Sequence, residues 1–276
     1  YLKASNTESN DWFGWSIDIS GDGKTMAVSA PAEASNAVGV NGDQTSNTSP
    51  TSGAVYVFAK INGNWQQEAY LKASNTEQPS DGITQSLPNA RFGYQVALSA
   101  DGSTLAVSAL NEDSYAVGVN CPPLYETQSS SASNSAGYQV YKSSLDIGAV
   151  YVFKRTNAVW AQTAYIKPLV QLPFNEYAFG YSLALSCDGK TLAVGSGVDG
   201  LPSSGIKNLT QNSSSSEPFV CLAPPSSTSS VSSSSSSSKT SSSSSSSSSS
   251  ANSSSSSVAG GKNSGAVYIY RLKDSG

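Results

Sequence analysis

The sequence contains no histidine among its 276 residues, and charged side chains make up only 12% of it. Histidine is the usual general base at neutral pH and a frequent zinc ligand, so we expect neither a Cys/His zinc site nor an enzyme. With 15 basic against 19 acidic residues, the chain has no basic stripe that could neutralise phosphates, and we expect no nucleic-acid partner. A continuous apolar run long enough to cross a membrane is also missing.

Serine, threonine, asparagine and glutamine are abundant instead. This composition is common in secreted, glycan-coated or matrix proteins, so we expect an extracellular, cell-surface location. No signal peptide is visible, and the chain opens directly in a strand-like YLKAS, so we interpret Tyr1 as a processed or trimmed start.

One strand-turn-strand phrase occurs three times, and it is the most informative pattern in the chain. It reads FGWSIDISGDGKTMAVSA at 13–30, FGYQVALSADGSTLAVSA at 92–109 and FGYSLALSCDGKTLAVGS at 179–196. After a loop of variable length, each copy is followed by GAVYVF or GAVYIY, starting at Gly53, Gly148 and Gly265. Repeats of this length indicate stacked units, none of which buries its hydrophobic face alone.

Each repeat predicts four antiparallel strands, which we term A to D. In the first copy Trp15, Ile17 and Ile19 alternate with polar residues, which is the period-two pattern of strand A. An Asp-Gly turn leads into strand B, TMAVSA, where small residues on one face allow another sheet to approach. GAVYVF predicts strand C and WQQEAYLKAS strand D. The fold class is therefore all-β, with β-propeller-type blades.

We interpret residues 1–276 as a single repeat domain with the strand order D-ABCD-ABCD-ABC. Propellers typically have roughly four to eight blades, so three explanations stay open. The chain is a fragment of a longer propeller, or two chains combine, or strand D of one subunit completes the ABC sheet of the next. The predicted parts are an orphan strand D in 1–12, blades at 13–74, 92–167 and 179–273, and a serine-rich insertion at 197–264.

The loops between strands B and C carry the variable features, and insertions at one point of a repeat emerge on one side. The tract at 226–257 is almost pure serine, so we expect it to be disordered or extended, as an O-glycosylated stalk or coat. A serine-rich chain also creates N-x-S/T sequons by chance. The candidate glycosylation sites are Asn47, Asn208, Asn212 and Asn252.

Cysteine usage leaves one disulfide open. Cys121 and Cys221 lie in equivalent loops of the second and third repeats and are a candidate pair, whereas Cys187 lies in a turn, where we expect it to be unpaired. The alternative is three free thiols. No CxxC motif is present.

The phrase FGWSIDISGDGKTMAVSAPAE, followed by GAVYVF, resembles the FG-GAP repeat of integrin-α-type β-propellers. YLKASNT and SxDGxTLAV are most similar to its bacterial secreted version. The resemblance implies a β-propeller, an extracellular location and a role in adhesion or surface structure. Integrin repeats often carry a DxDxDG calcium loop between strands A and B, but here one carboxylate per loop leaves the motif incomplete. We therefore expect no cofactor, with calcium as the alternative, and interpret Asp22, Asp101 and Asp188 as turn residues.

The first functional hypothesis is an extracellular structural subunit that assembles with itself by strand addition into a surface filament or layer, its glycosylated loops outward. Tyr1, Leu2 and Lys3 form the donor strand in this hypothesis. The acceptor edge comprises Gly265, Val267, Tyr268 and Tyr270.

The alternative is a cell-surface adhesion or ligand-binding module of a larger integrin-like β-propeller, with ligands such as glycans on the B–C loops. Trp12, Trp15 and Tyr94 could stack on sugars. Because aromatic residues beside the FG phrase more often pack inside, we expect these three in the interior.

Overall fold

The computed structural model describes residues 1–76, 89–114, 118–120, 146–168, 178–197 and 265–272. Within these ranges the chain forms twelve β-strands and no helix. The strands are β1 (Ile17–Ile19), β2 (Thr25–Ala30), β3 (Ala54–Ile61), β4 (Asn64–Leu71), β5 (Phe92–Leu98), β6 (Thr104–Ala109), β7 (Gly118–Val119), β8 (Ala149–Thr156), β9 (Val159–Lys167), β10 (Phe179–Leu185), β11 (Thr191–Ser196) and β12 (Ala266–Arg271).

The strands form three antiparallel sheets, one for each repeat. Their orders are β1-β2-β3-β4, β5-β6-β8-β9-β7 and β10-β11-β12. The first three strands of each sheet are the predicted strands A, B and C, and β4 and β9 are strand D. The predicted all-β fold with blade-like antiparallel sheets is therefore confirmed.

Alternate residues of β2 and β3 face opposite sides of the first sheet, as the period-two pattern requires. Ala27, Val55 and Val57 belong to a core that the first and second sheets share. Val28 and Tyr56 lie in a separate core on the other side. Both faces of the two central strands, β2 and β3, are thus buried, which explains why β3 is apolar along most of its length.

The second sheet lies between the other two and packs against both. Its Val96 and Leu98 contribute to the core shared with the first sheet. Val150 and Val152 contribute to the core shared with the third sheet, where Leu192 is also buried. Full burial of one aliphatic side chain contributes about 1.5–3 kcal/mol, so each blade depends on its neighbours for stability.

The first segment of the chain differs from the prediction. Residues 1–16 contain no strand, so the orphan strand D expected within 1–12 is not formed in the single chain. A strand needs a hydrogen-bonding neighbour, and no described strand pairs with this segment. Instead, Leu2 and Ala4 pack on the outer face of the first sheet.

The second sheet has a fifth strand that the four-strand repeat did not predict. This strand, β7, pairs with the end of β9 through Gly118–Lys167 and Val119–Ile166. At the corresponding place in the first blade, Val40 forms a single bridge with Leu71. A strand of two residues is too short to leave a periodic pattern, which is why the sequence did not reveal it.

Candidate assembly interface

Each junction between sheets contains a phenylalanine-glycine seat, in which the backbone of one blade's Phe lies on the first glycine of the previous blade's strand C. Phe92 donates its N–H to the Ser52 carbonyl oxygen at 3.0 Å. A Cβ added to Gly53 would lie 2.1 Å from the Phe92 carbonyl oxygen, and at Gly148 the distance to the Phe179 oxygen is 2.2 Å. Only glycine fits at these two positions, which also have positive φ.

Polar contacts align the first two blades. The Ser16 hydroxyl accepts a hydrogen bond from the Val96 amide at 3.2 Å. A carboxylate oxygen of Asp18 accepts one from the Leu98 amide at 2.7 Å. These two acceptors satisfy amide groups of β5 that would otherwise lie against the neighbouring sheet without a partner.

A buried ion pair ties strand D to the loop after strand B, and we call it the lysine–glutamate lock. In the first blade the Lys72 Nζ donates to Glu33 Oε2 at 2.8 Å, to the Ser35 carbonyl oxygen at 2.8 Å and to the Ser52 hydroxyl at 2.7 Å. Tyr70 donates its hydroxyl to Glu33 Oε1 at 3.0 Å. Burial lowers the pKa of Lys72, and the Glu33 carboxylate opposes that shift.

The second blade contains the same lock. Its Lys167 Nζ donates to Glu112 Oε2, and both side chains are almost completely buried. Ser114 takes the place of Ser35 and lies 2.6 Å from the Tyr165 hydroxyl. Recurrence at the same repeat position shows that the lock is part of the blade's construction. It supplies partners to charges that would be very costly to bury alone.

Residues 4–7 sit on the first blade as residues 73–76 sit on the second. Asn6 Nδ2 donates to Glu33 Oε1 at 2.9 Å, and Asn75 Nδ2 donates to Glu112 Oε1 at the same distance. The Thr7 hydroxyl donates to the Ala4 carbonyl oxygen at 2.7 Å, and the Thr76 hydroxyl donates to the Ala73 oxygen at 2.8 Å. Because residues 73–76 follow strand D of the first blade, residues 4–7 occupy the place that follows a strand D.

Among the described residues, the third sheet has one exposed face. Val267 and Ile269 on β12 are 69% and 63% exposed. The residues at the same repeat positions in the first sheet, Val55 and Val57, are fully buried. Beside β12, a groove of about 330 Å³ follows the glycine that starts strand C. Its lining residues are Tyr181, Ser182, Gly195, Ser196, Gly197, Gly265, Ala266 and Val267.

The two predicted halves of the assembly edge, the donor segment at residues 1–3 and the acceptor strand β12, differ in their environment. Tyr1 is fully exposed, Lys3 is exposed and Leu2 is half-buried against the first sheet. On the other half, Tyr268 and Tyr270 turn inward and contact the Phe179 ring at centroid distances of 5.4 and 6.4 Å. The donor and acceptor segments do not meet within one chain.

The other predicted sites are placed only in part. Asn47 is exposed, and its side-chain amide donates to the Glu8 carboxylate. Cys187 is an exposed free thiol. The remaining predicted sites, namely Asn208, Asn212, Asn252, Cys121, Cys221 and the serine tract, lie outside the described residues.

The aspartates of the A–B turns bind their own turns. Asp22 accepts hydrogen bonds from the Ser20 hydroxyl and the Lys24 amide, which lower its pKa. Asp188 makes the equivalent contacts with Ser186 and Lys190, and its pKa is lowered for the same reason. These aspartates are turn residues, as the Asp-Gly pattern predicted.

The expectation that Trp12 and Trp15 pack in the interior is wrong. They are 49% and 51% exposed and stack on each other with ring centroids 5.4 Å apart. Trp15 also contacts Tyr94 at 5.9 Å, across the first junction. The prediction failed because this repeat position is accessible, since Tyr181, which takes the place of Trp15 in the third blade, is also 55% exposed.

A sequence profile of the FG-GAP repeat family matches residues 1–58. The match begins at YLKAS and ends at GAVYVF, so it covers the segment before the first blade together with strands A, B and C. The first blade and the segment before it are thus similar to an FG-GAP repeat. Such repeats typically occur in extracellular, integrin-like proteins. No curated protein matches the chain.

The structure adds the finding that the described residues include no helix able to cross a membrane. The lysine–glutamate lock was not predicted, although the three repeats, when aligned with one another, contain its signal. Glu33 and Glu112 each lie three residues after the end of strand B, and Lys72 and Lys167 each lie two residues after the strand D tyrosine. The large sequence distance between partners hides the pairing until the fold brings them together.

Proposed function

We propose that this protein is an extracellular structural subunit that associates with itself through complementary strands. In this role, Tyr1–Lys3 of one copy becomes strand D of the third blade of another copy. Repeated head-to-tail contacts of this kind generate a surface filament or layer. The role needs no catalytic group, in keeping with a sequence that lacks histidine.

One observation carries the proposal. The described third sheet ends at β12, whereas strand D follows strand C in the first two sheets. At the other end of the chain, residues 4–7 already make the contacts that follow strand D, and the Tyr1-Leu2-Lys3 sequence repeats Tyr70-Leu71-Lys72. An open strand edge and an unpaired strand sequence are complementary in the sense of β-augmentation.

The external surface of such an assembly is formed by the B–C loops. Asn47 lies exposed in the first of these loops and is the acceptor that we propose for an N-linked glycan. Glycans on these loops would face away from the sheet edges and leave the edges free to pair.

The experiment is negative-stain electron microscopy combined with light scattering of the full chain. We expect regular fibres or layers, and removal of Tyr1–Lys3 should leave single copies. Because Leu2 packs on the first sheet, Leu2→Ala serves as the control that loses this packing but keeps the strand backbone. Full assembly after the removal contradicts strand addition. A monodisperse single copy of the unaltered chain contradicts self-association and favours the adhesive module of a larger propeller.

A further inference from the structure

We propose that the open face of the third sheet is the docking surface for the first blade of a second copy, whose Phe13-Gly14 segment seats beside Gly265. The inference rests on the proposed self-association but names a different contact, made by sheet faces rather than by a strand edge. Its template is the pair of junctions already present inside the chain.

The groove beside β12 is the counterpart of the phenylalanine-glycine seat, and no described Phe-Gly segment fills it. At the first junction the corresponding place is filled by the backbone of Phe92, and at the second by Phe179. At Gly265 the atoms nearest to an added Cβ are backbone atoms of Ser196 and Gly197, which belong to the same blade. The groove therefore has the position and the lining for another Phe-Gly segment.

The first blade presents that segment with its outer side uncovered. Gly14 has φ of +95°, close to the +91° of Gly93 and the +92° of Gly180. A Cβ at Gly93 would lie 3.0 Å from the Ser29 Cβ, whereas a Cβ at Gly14 would meet nothing within 4 Å. Gly14 thus keeps the seated conformation without a neighbouring blade.

Polar and steric features of the third sheet match the Phe13-Gly14 segment of the second copy. Ser182 lies at the repeat position of Ser16, whose hydroxyl accepts a hydrogen bond from the Val96 amide. In the docked pair, the amide that corresponds to Val96 is that of Ile17 in the second copy. Gly195 replaces the serine that Gly93 and Gly180 contact in the other two junctions. The third sheet therefore offers one hydrogen-bond acceptor and added room beside Gly14.

The apolar surfaces are complementary as well. Ile17 and Ile19 are 58% and 49% exposed, although Val96 and Leu98 at the same positions of the second blade are each only 7% exposed. They are the residues that a blade presents to the sheet before it. On the third sheet, the exposed Val267 and Ile269 are the residues that a blade presents to the sheet after it. Joining the two faces removes both sets of apolar side chains from water, and Arg271 lies beyond Ile269 on the same face, at the end of β12.

The test uses Ile17→Glu and Ile269→Glu, which place a charge on one face each. Both side chains are exposed in the single chain, so the variants should fold, and thermal melting verifies this. Val159→Glu is the matched control, because Val159 is 67% exposed on a strand outside both faces. Sedimentation should show the dissociation constant raised about tenfold or more for either face variant, since a charge would be desolvated, and no change for the control.

Mixing the two face variants gives the sharpest readout. An Ile17→Glu copy keeps an intact third face, and an Ile269→Glu copy keeps an intact first face. Head-to-tail docking therefore predicts dimers that stop at two copies, with a mass twice that of the single chain. A mixture that stays monomeric overturns the inference, as does normal assembly of both variants.

The outcomes separate this inference from strand addition. If the unaltered chain assembles, loses assembly on removal of Tyr1–Lys3 and is indifferent to both glutamate substitutions, strand addition stands and face docking falls. If the mixed dimer forms with Tyr1–Lys3 removed from both copies, the faces suffice. An unaltered chain that is monomeric at every concentration overturns both proposals.

Discussion

At the same position of the repeat, Val57 and Val152 are buried, whereas Ile269 is 63% exposed. All three residues are β-branched and aliphatic, so the difference in exposure arises from the neighbouring sheet and not from the local sequence. In the first two blades the next sheet covers this position. Each blade therefore has apolar residues on strand C that fit a neighbouring sheet, whether or not that sheet is present, as expected for a repeat fold.

The largest expected effect comes from breaking the lock of the first blade. Lys72→Met leaves the Glu33 carboxylate buried without its cation, and we expect the free energy of unfolding to fall by about 3–5 kcal/mol. Urea unfolding followed by intrinsic fluorescence measures the loss. The double variant Lys72→Met with Glu33→Gln removes both charges and should recover part of the stability. A cost below about 1 kcal/mol for the single variant would show that the lock is dispensable.

The glycines that precede strand C test the comparison between the covered first blade and the exposed third blade. Gly53→Ala places a Cβ against the Phe92 carbonyl at a residue with φ of +83°, so we expect a loss of more than about 2 kcal/mol. Gly265→Ala is the matched substitution on the open face, where a Cβ would lie 3.0 Å from the Ser196 carbonyl oxygen, and it should cost the single chain about 1 kcal/mol or less. Thermal melting of both variants measures the contrast, and equal losses would argue against a role for the seated Phe.

The repeat fold was largely predictable because its signal is local. Alternation along β2 and β3, the Asp-Gly turns and the glycine before strand C each occur within a few residues. The lock was not predicted because Glu33 and Lys72 meet only after the blade has closed. The exposure of Trp15 was not predicted either, since the aromatic residue after the FG pair is also exposed at Tyr181 and the local sequence does not show this.

The two locks differ in their acidic surroundings, and this difference predicts a pH dependence. Burial raises the pKa of Asp113 to about 6, and the repulsion from Asp146 and Glu112 adds to the shift. The first blade has Ala34 at the same position. Because the folded-state pKa lies above the unfolded value of 3.8, the folded state binds the proton more tightly. The resulting stability is fully present below about pH 4 and is lost as the pH rises through 6.

Asp113→Asn should therefore stabilise the protein at pH 7 by about 2 kcal/mol, after a discount for partial exposure, and flatten the decline between pH 4 and 7. Its Oδ1 can still accept the Asp146 amide. Unfolding curves at several pH values give the slope. Asp188→Asn is the control of opposite sign, because its hydrogen bonds lower the pKa of that carboxyl. An unchanged slope in Asp113→Asn would locate the pH dependence elsewhere.

The smallest expected effect distinguishes the two internal junctions from each other. At the first junction Arg155 binds both carboxylate oxygens of Glu68, and the Trp160 indole donates to the same group at 2.9 Å. At the second junction the corresponding residues are Thr163 and Leu272, which form no ion pair. Glu68→Gln should reduce the free energy of unfolding by about 1 kcal/mol, because the pair is bidentate but partly exposed. Thr163→Val, the matched variant, should stay within about 0.5 kcal/mol of the parent.

Added salt provides the check on this last prediction. Salt screens a partly exposed ion pair, so the gap between the parent and Glu68→Gln should narrow as the ionic strength rises. The Thr163→Val difference should not depend on salt, because no charge is removed. A gap that is constant from low to high salt would mean that Glu68 acts through its hydrogen bond to Trp160 and not through the charge of Arg155. The two junctions would then differ in packing and hydrogen bonding alone.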